Sequence, residues 1–305
     1  MPSKMLASSV LSSSLLMVAS SVCYQVNAQD LEPRSYSNIP IDMHFIVAGY
    51  NRSQGSLSPA PEVPIKDSDL QIDAGLLGYA TTFDVAGSSS KFDIVASRVC
   101  IAGSAIYQGD YVEGQQCGYS DPTLKFTWNF YGAPALTRQE FAKYQQGLVM
   151  GVSMQLSVPV GSYDSDKLIN VGANQWVFRP GFGMSYRSGN WFYGVNTTIR
   201  LYADNDDFFN DAYLEKDPQY NLQAHLIYNL TPRQWISLSG NYFIGGETVK
   251  NGVESDDEQS NSRFGINYSW ALNQHHSVKL YANTGVITRI GNDFDSYGAI
   301  WMYAF

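Results

Sequence analysis

The sequence predicts an all-β protein: a transmembrane, up-and-down antiparallel β-barrel of about twelve strands behind a cleaved N-terminal signal peptide. Three observations carry this. From residue 41 onward, run after run alternates between apolar and polar side chains at period two. The connections alternate between short turns and longer, often acidic loops. The chain ends in FDSYGAIWMYAF, where Tyr297, Trp301, Tyr303 and Phe305 share one strand face opposite Ser296, Gly298, Ile300, Met302 and Ala304. On a soluble edge strand such an aromatic face is an aggregation hazard. In a closed barrel it is a lipid-facing strand that pairs with the first one and leaves no free edge.

Composition agrees. Only 15% of the 305 residues are charged and 14% are aromatic, with 21 tyrosines and 26 glycines, which suits a β protein whose surface is not mostly in water. No long apolar run follows the N-terminus, which argues against transmembrane helices and leaves a barrel untouched. Residues 1–28 have a basic start at Lys4, an apolar and small-residue stretch, and Val26-Asn27-Ala28 as a cleavage site. Residues 29–40 form a polar, turn-rich lead, and residues 41–305 the barrel. Cys100 and Cys117 flank a glycine-rich stretch, and an oxidising compartment lets them pair as a disulfide. No CxxC or Cys/His cluster accompanies them, so neither a metal nor a cofactor is expected.

The strands follow in order. IDMHFIVAGYNR places Ile41, Met43, Phe45 and Val47 opposite Asp42, His44, Ala48 and Arg52. After a Ser/Pro-rich loop come strands over 70–84 and 92–107, joined by the turn VAGSSSK. In TLKFTWNFYG, Leu124, Phe126, Trp128 and Phe130 alternate with Lys125, Thr127 and Asn129. LTRQEFAKYQQ predicts a short amphipathic helix before LVMGVSMQLSV. Further alternating runs begin at Trp176, Trp191, Leu222, Ile236, Phe264 and Val278, punctuated by the turns SGN, TPR and NQH and the acidic loops ADNDDFFND and VESDDEQ.

Several segments carry a family resemblance: PRSYSNIPIDMHFIVAGY, YGAPALTRQEFAKYQQ, SVPVGSYDSDKLINVGANQW, DNDDFF, DPQYNLQAHLIYNL and HSVKLYANTGVITRIGNDFDSYGAIWMY. Together they resemble the family named for the meta-pathway of phenol degradation, over almost the whole chain after residue 28. The resemblance implies an outer-membrane barrel that passes small solutes, aromatic compounds among them, across the outer membrane of a Gram-negative bacterium. It brings no catalytic or binding residues.

Residues opposite the apolar faces are those a lumen shows to a solute. By alternation these are Asp42, His44, Lys125, Arg179, Arg200, His225, Glu247, Arg263 and Lys279, with Arg289 as an addition. Charges at bilayer depth are costly unless they face a wet or paired interior. The basic excess predicts a mildly electropositive lumen that favours organic anions. The competing expectation is that these side chains pair with one another and fill a narrow barrel, making the protein a structural or surface-binding barrel with a plugged lumen.

The expected partners are outer-membrane lipid and lipopolysaccharide, a small-molecule solute, and the barrel-assembly machinery acting on the aromatic C-terminal strand. The acidic balance opposes nucleic acid. A lipase-type enzyme ranks third, because no HxSN-like or GxSxG stretch is present.

Overall fold

A computed structural model describes residues 31–58, 65–107, 109–167, 170–209 and 211–305. The predicted signal peptide lies outside the described residues. In chain order the strands are β1 (His44–Ser58), β2 (Ile65–Val85), β3 (Ser88–Tyr107), β4 (Asp110–Tyr119), β5 (Thr123–Tyr131) and β6 (Leu148–Ser157). Next come β7 (Val177–Ser188), β8 (Trp191–Tyr202), β9 (Asn205–Phe208), β10 (Ala212–Lys216), β11 (Gln219–Thr231) and β12 (Gln234–Gly245). The last are β13 (Thr248–Lys250), β14 (Val253–Glu254), β15 (Gln259–Ala271), β16 (His276–Ile287) and β17 (Gly291–Ala304).

Twelve of them close an antiparallel wall: β1–β3, β5–β8, β11, β12 and β15–β17. The first and last strands meet in register from Phe45↔Ala304 to Ser58↔Gly291. Phe305 extends this seam with two backbone bonds to His44, of 3.0 and 2.9 Å. The remaining strands lie at one end of the barrel. β4 pairs with the loop-end half of β3, and β9, β10, β13 and β14 form a separate small sheet. The Tyr213 phenol of that sheet donates to Asp204 at 2.5 Å, which pushes its pKa up to about 12.

Turn chemistry at the other end explains the tight hairpins. Ala86 and Gly87 both take positive φ, 52° and 79°, between the paired Val85 and Ser88. That is the two-residue turn whose twist matches the flanking strands. The expected turn VAGSSSK therefore shrinks to two residues, and Ser88–Lys91 join β3. The expected helix is a single turn, α1 (Arg138–Phe141). Thr137 and Glu140 form a capping box at its start, and Phe141 alone anchors it.

The alternation sorts by environment as lipid demands. Leu226, Leu238, Ile266, Trp270, Leu280, Tyr297 and Trp301 point outward and are exposed. Asn196, Gln223, His225, Asn241, Asn267 and Ser269 point inward and are buried. β1 departs from the predicted orientation. Phe45 and Val47 face the lumen and pack with Leu76, Val95, Ile300 and Met302 at the turn end. Both faces of β1 are apolar, since Ile46 and Tyr50 lie outside, so alternation by itself could not orient it.

Outside, the aromatic ladder of β17 is continuous. The Tyr303 and Phe305 rings lie 5.6 Å apart, and His44 stacks on Phe305 at 5.5 Å.

Two expectations follow. Deleting Phe305 removes the last two seam bonds, each contributing about 1 kcal/mol. A smaller heat-modifiable folded fraction is expected with conductance per inserted molecule unchanged; a wild-type folded fraction contradicts this. Cys100 and Cys117 are directly opposed in β3 and β4 and joined by a disulfide. A crosslink closing a loop of about 15 residues contributes on the order of 3 kcal/mol. Replacing both with serine should leave the barrel folded and make the β3–β4 hairpin more sensitive to protease; loss of the barrel itself would show a different role.

Candidate functional site in the barrel lumen

The lumen is occupied by the chain's own N-terminal segment. Residues 31–43 run through the interior to the turn end, held by side-chain contacts above and by backbone bonds only where the segment joins the wall. Ile41 N donates to Leu136 O at 2.9 Å, and Asp42 N donates to Thr82 O at 2.9 Å. At that end Ile39 and Met43 enter the apolar cluster around Phe45 and Met302.

The middle of the segment is fitted to β6 and β7. The Tyr36 hydroxyl lies 2.9 Å from Ser153 Oγ, and its carbonyl accepts from Ser185 Oγ at 2.8 Å. Its ring sits against two glycines. A Cβ on Gly183 would stand 2.2 Å from Tyr36 Cε2, and one on Gly151 2.8 Å from Cδ1. Only glycine leaves that slot open. Arg34 adopts φ 71°, and its guanidinium donates to Asn229 Oδ1 at 2.5 Å while lying 5.0 Å from the Phe192 ring and 5.2 Å from that of Trp235. Cation–π contact in a dry site is worth about 2 kcal/mol.

The strongest tether is ionic. Glu32 meets Lys125 Nζ at 2.5 Å through Oε2 and Arg179 Nη2 at 3.2 Å through Oε1. All three side chains are nearly enclosed, at 10–13% exposure. Breaking a buried pair by removing one partner costs about 3–5 kcal/mol, because the other charge stays behind. Nearby, Lys91 is paired with Asp93 at 3.2 Å.

The predicted lumen residues divide. Lys125, Arg179, Arg200, His225, Arg263 and Lys279 occupy inward positions of β5, β7, β8, β11, β15 and β16. Arg263 Nη2 donates to Asn283 Oδ1 at 2.7 Å and to the Phe294 carbonyl. The Lys279 ammonium lies 5.6 Å from the Tyr281 ring centre.

Three residues are elsewhere. His44 faces outward, its Nδ1 2.7 Å from the Tyr79 hydroxyl, because β1 turns its other face to the lumen. Asp42 is exposed at the turn end with φ 59°, ahead of the first strand. Glu247 lies between β12 and β13, where the wall has ended; partial desolvation and the carboxylates of Glu254, Asp257 and Asp256 raise its pKa. Arg289 is likewise in a loop, paired with Asp256 at 2.9 Å and Glu258 at 3.4 Å.

One inward cluster has the residue types of a hydrolase. The His225 ring bridges Ser239 Oγ, at 2.9 Å from Nδ1, and Asn196 Nδ2, at 3.2 Å from Nε2. Ser239 is buried, 1% exposed, in this conformation. The trio acts as a strap between β8, β11 and β12. Beside it the lumen is polar: both amide atoms of the buried Asn221 and Asn241 lack protein partners, and such groups are satisfied by water at low cost only in a wet interior.

Residues 31–36 were not among the expected lumen residues. Two signals pointed to them. The resembling segment PRSYSNIPIDMHFIVAGY begins at Pro33, and Gly151, Ser153, Gly181, Gly183 and Ser185 on the inward faces of β6 and β7 leave room for a body inside.

The fold is similar to the crystal structure of an outer membrane channel from Pseudomonas putida F1, with 19% identity and a TM-score of 0.73 over 90% of this chain and 100% of that one. It is also similar to the β domain of the Bordetella autotransporter BrkA, with 12% identity and a TM-score of 0.55 over 87% of this chain and 100% of that one. The transport unit of the autotransporter AIDA-I from Escherichia coli follows, with 11% identity and a TM-score of 0.53 over 96% of this chain and 97% of that one. These likenesses concern the barrel fold. No curated protein sequence matches the chain. The model of the family described as "Putative MetA-pathway of phenol degradation" matches residues 53–301, and this protein belongs to that family.

Proposed function

We propose that the protein is an outer-membrane channel for small solutes in a Gram-negative bacterium, closed in this conformation by its own N-terminal segment. The observation that carries the reading is the way the segment is held. A polar lumen contains residues 31–38 attached by side-chain bonds and ion pairs, with no strand pairing. Such contacts exchange with water or solute without opening the wall, whose ladder is complete without them. Membership in a family of barrel proteins linked to phenol degradation supports small organic solutes as the cargo class. The outward apolar face suits outer-membrane lipid, with the acidic loop end facing lipopolysaccharide and the β17 ladder offered to the assembly machinery.

The charge of the wall supports anions. Lys125, Arg179, Arg200, Arg263 and Lys279 turn inward, against the buried Asp93. A second reading, a barrel with a permanently closed lumen, is favoured by the apolar cluster that fixes Ile39 and Met43 at the turn end.

Bilayer recordings separate the two. Gly183→Val, which evicts the Tyr36 ring, and Glu32→Gln, which forfeits about 3–5 kcal/mol of ion pairing, should each raise conductance severalfold over wild type. Wild-type conductance from both folded variants supports permanent closure. Under a potassium chloride gradient the opened variants should show a reversal potential of the anion-selective sign; cation preference overturns the anion reading.

A further inference from the structure

A cavity of about 220 Å³ lies at the loop end of the lumen, beside the ion pairs of Glu32. Ile72 on β2 and Val99 and Ile101 on β3 supply alkyl surface to it, and Val177 on β7 adds more. Arg179 and Arg200, on β7 and β8, supply two guanidinium groups. Asp121 also lines the cavity, but its carboxylate is occupied as a loop brace, accepting from Gly161 N and Ala173 N at 2.8 Å each. Ser120, Thr123, Gln155, Ser157 and Asn170 also line it, and alkyl surface beside two guanidinium groups and neutral polar side chains is the composition of an anion site with room for an apolar body. A cavity of about 150 Å³ holds benzene, so this one has room for a ring and a charged substituent.

Arg179 belongs to both structures. It lines the cavity, and its Nη2 contacts Glu32 Oε1 at 3.2 Å and Gln155 Oε1 at 2.8 Å. We infer that the cavity binds a small organic carboxylate with a compact apolar body, and that the bound carboxylate takes the place of Glu32 on Arg179 and releases the N-terminal segment. The inference rests on the channel reading above.

Withdrawing Glu32 alone removes the carboxylate that Lys125 and Arg179 share in an enclosed site. A ligand carboxylate on Arg179 replaces one of the two ion pairs that Glu32 makes, and guanidinium presents the same planar fork to either. The apolar walls distinguish such a ligand from chloride or acetate, which bring no body to bury. Because the ligand and Glu32 compete for one group, each weakens the other, and the ligand shifts the segment only through its higher affinity for the released state.

The test uses benzoate and its neutral analogue benzamide with the full chain in detergent, by calorimetry, and in planar bilayers. Benzoate should bind wild type and benzamide should not. Binding should tighten severalfold in Glu32→Gln, where the competitor is gone, and weaken about tenfold or more in Arg200→Ala. Arg200→Lys, which keeps the charge and loses the fork, should fall between, and heat-modifiable mobility verifies that each variant is folded. Benzoate should also raise wild-type conductance.

Absence of benzoate binding, or equal affinity in wild type, Glu32→Gln and Arg200→Ala, overturns the inference. A Glu32→Gln barrel that conducts while wild type ignores benzoate refutes ligand release and leaves the channel standing. A folded Glu32→Gln barrel that stays closed while Gly183→Val conducts refutes release through Glu32 and leaves the channel standing; wild-type conductance from both variants refutes the channel reading and ligand release together.

Discussion

Everything in this molecule depends on one constraint: a sheet in lipid has no water to satisfy an open edge, so its first and last strands must meet. The β1–β17 seam, continuous from Phe45↔Ala304 to Ser58↔Gly291, meets it. Once the ring is closed, period-two alternation assigns every wall residue to lipid or lumen. The outward side chains then need no protein partner, and the inward ones must find partners among themselves or in whatever enters the barrel.

What enters is the chain itself. Its N-terminal segment meets the two needs of the lumen at different heights. At the turn end, Ile39 and Met43 complete an apolar core with Phe45, Val47 and Met302. Higher up, Glu32 neutralises Lys125 and Arg179; Arg34, beside the turns that precede β8 and β12, covers Phe192 and Trp235. The apolar anchor is continuous with the wall, whereas Glu32 is held by ion pairs and joins no strand. The cavity that shares Arg179 lies beside the Glu32 ion pairs, away from the apolar anchor.

Legibility differed from element to element. The central wall strands were plain because one face was apolar and the other polar, as in β6 and β11. β1 was not, since Phe45 and Val47 on one side and Ile46 and Tyr50 on the other are all apolar. His44 went to the wrong side with it. Glu247 kept the alternation of β12 past the point where the strand stops. The short strands of the small loop-end sheet have only two to five residues, too few for a periodicity of their own, and β10 meets β13 across a long sequence gap. Of the lumen site, the cations Lys125, Arg179 and Arg200 were visible as inward charges. Their partner Glu32 was not, because nothing local ties a residue in a polar lead to strands more than ninety positions away.

The sequence by itself determined the fold class, the lipid-facing surface, the closing strand and most inward-facing charges, because these follow from local periodicity and the requirement of a closed ladder. Only the tertiary structure decided that residues 31–43 lie inside, that Glu32 ties Lys125 to Arg179, and that Tyr36 fits between Gly151 and Gly183. Those contacts depend on the diameter of the closed ring and on which residues it brings to one height, and neither is written in any single stretch of the chain.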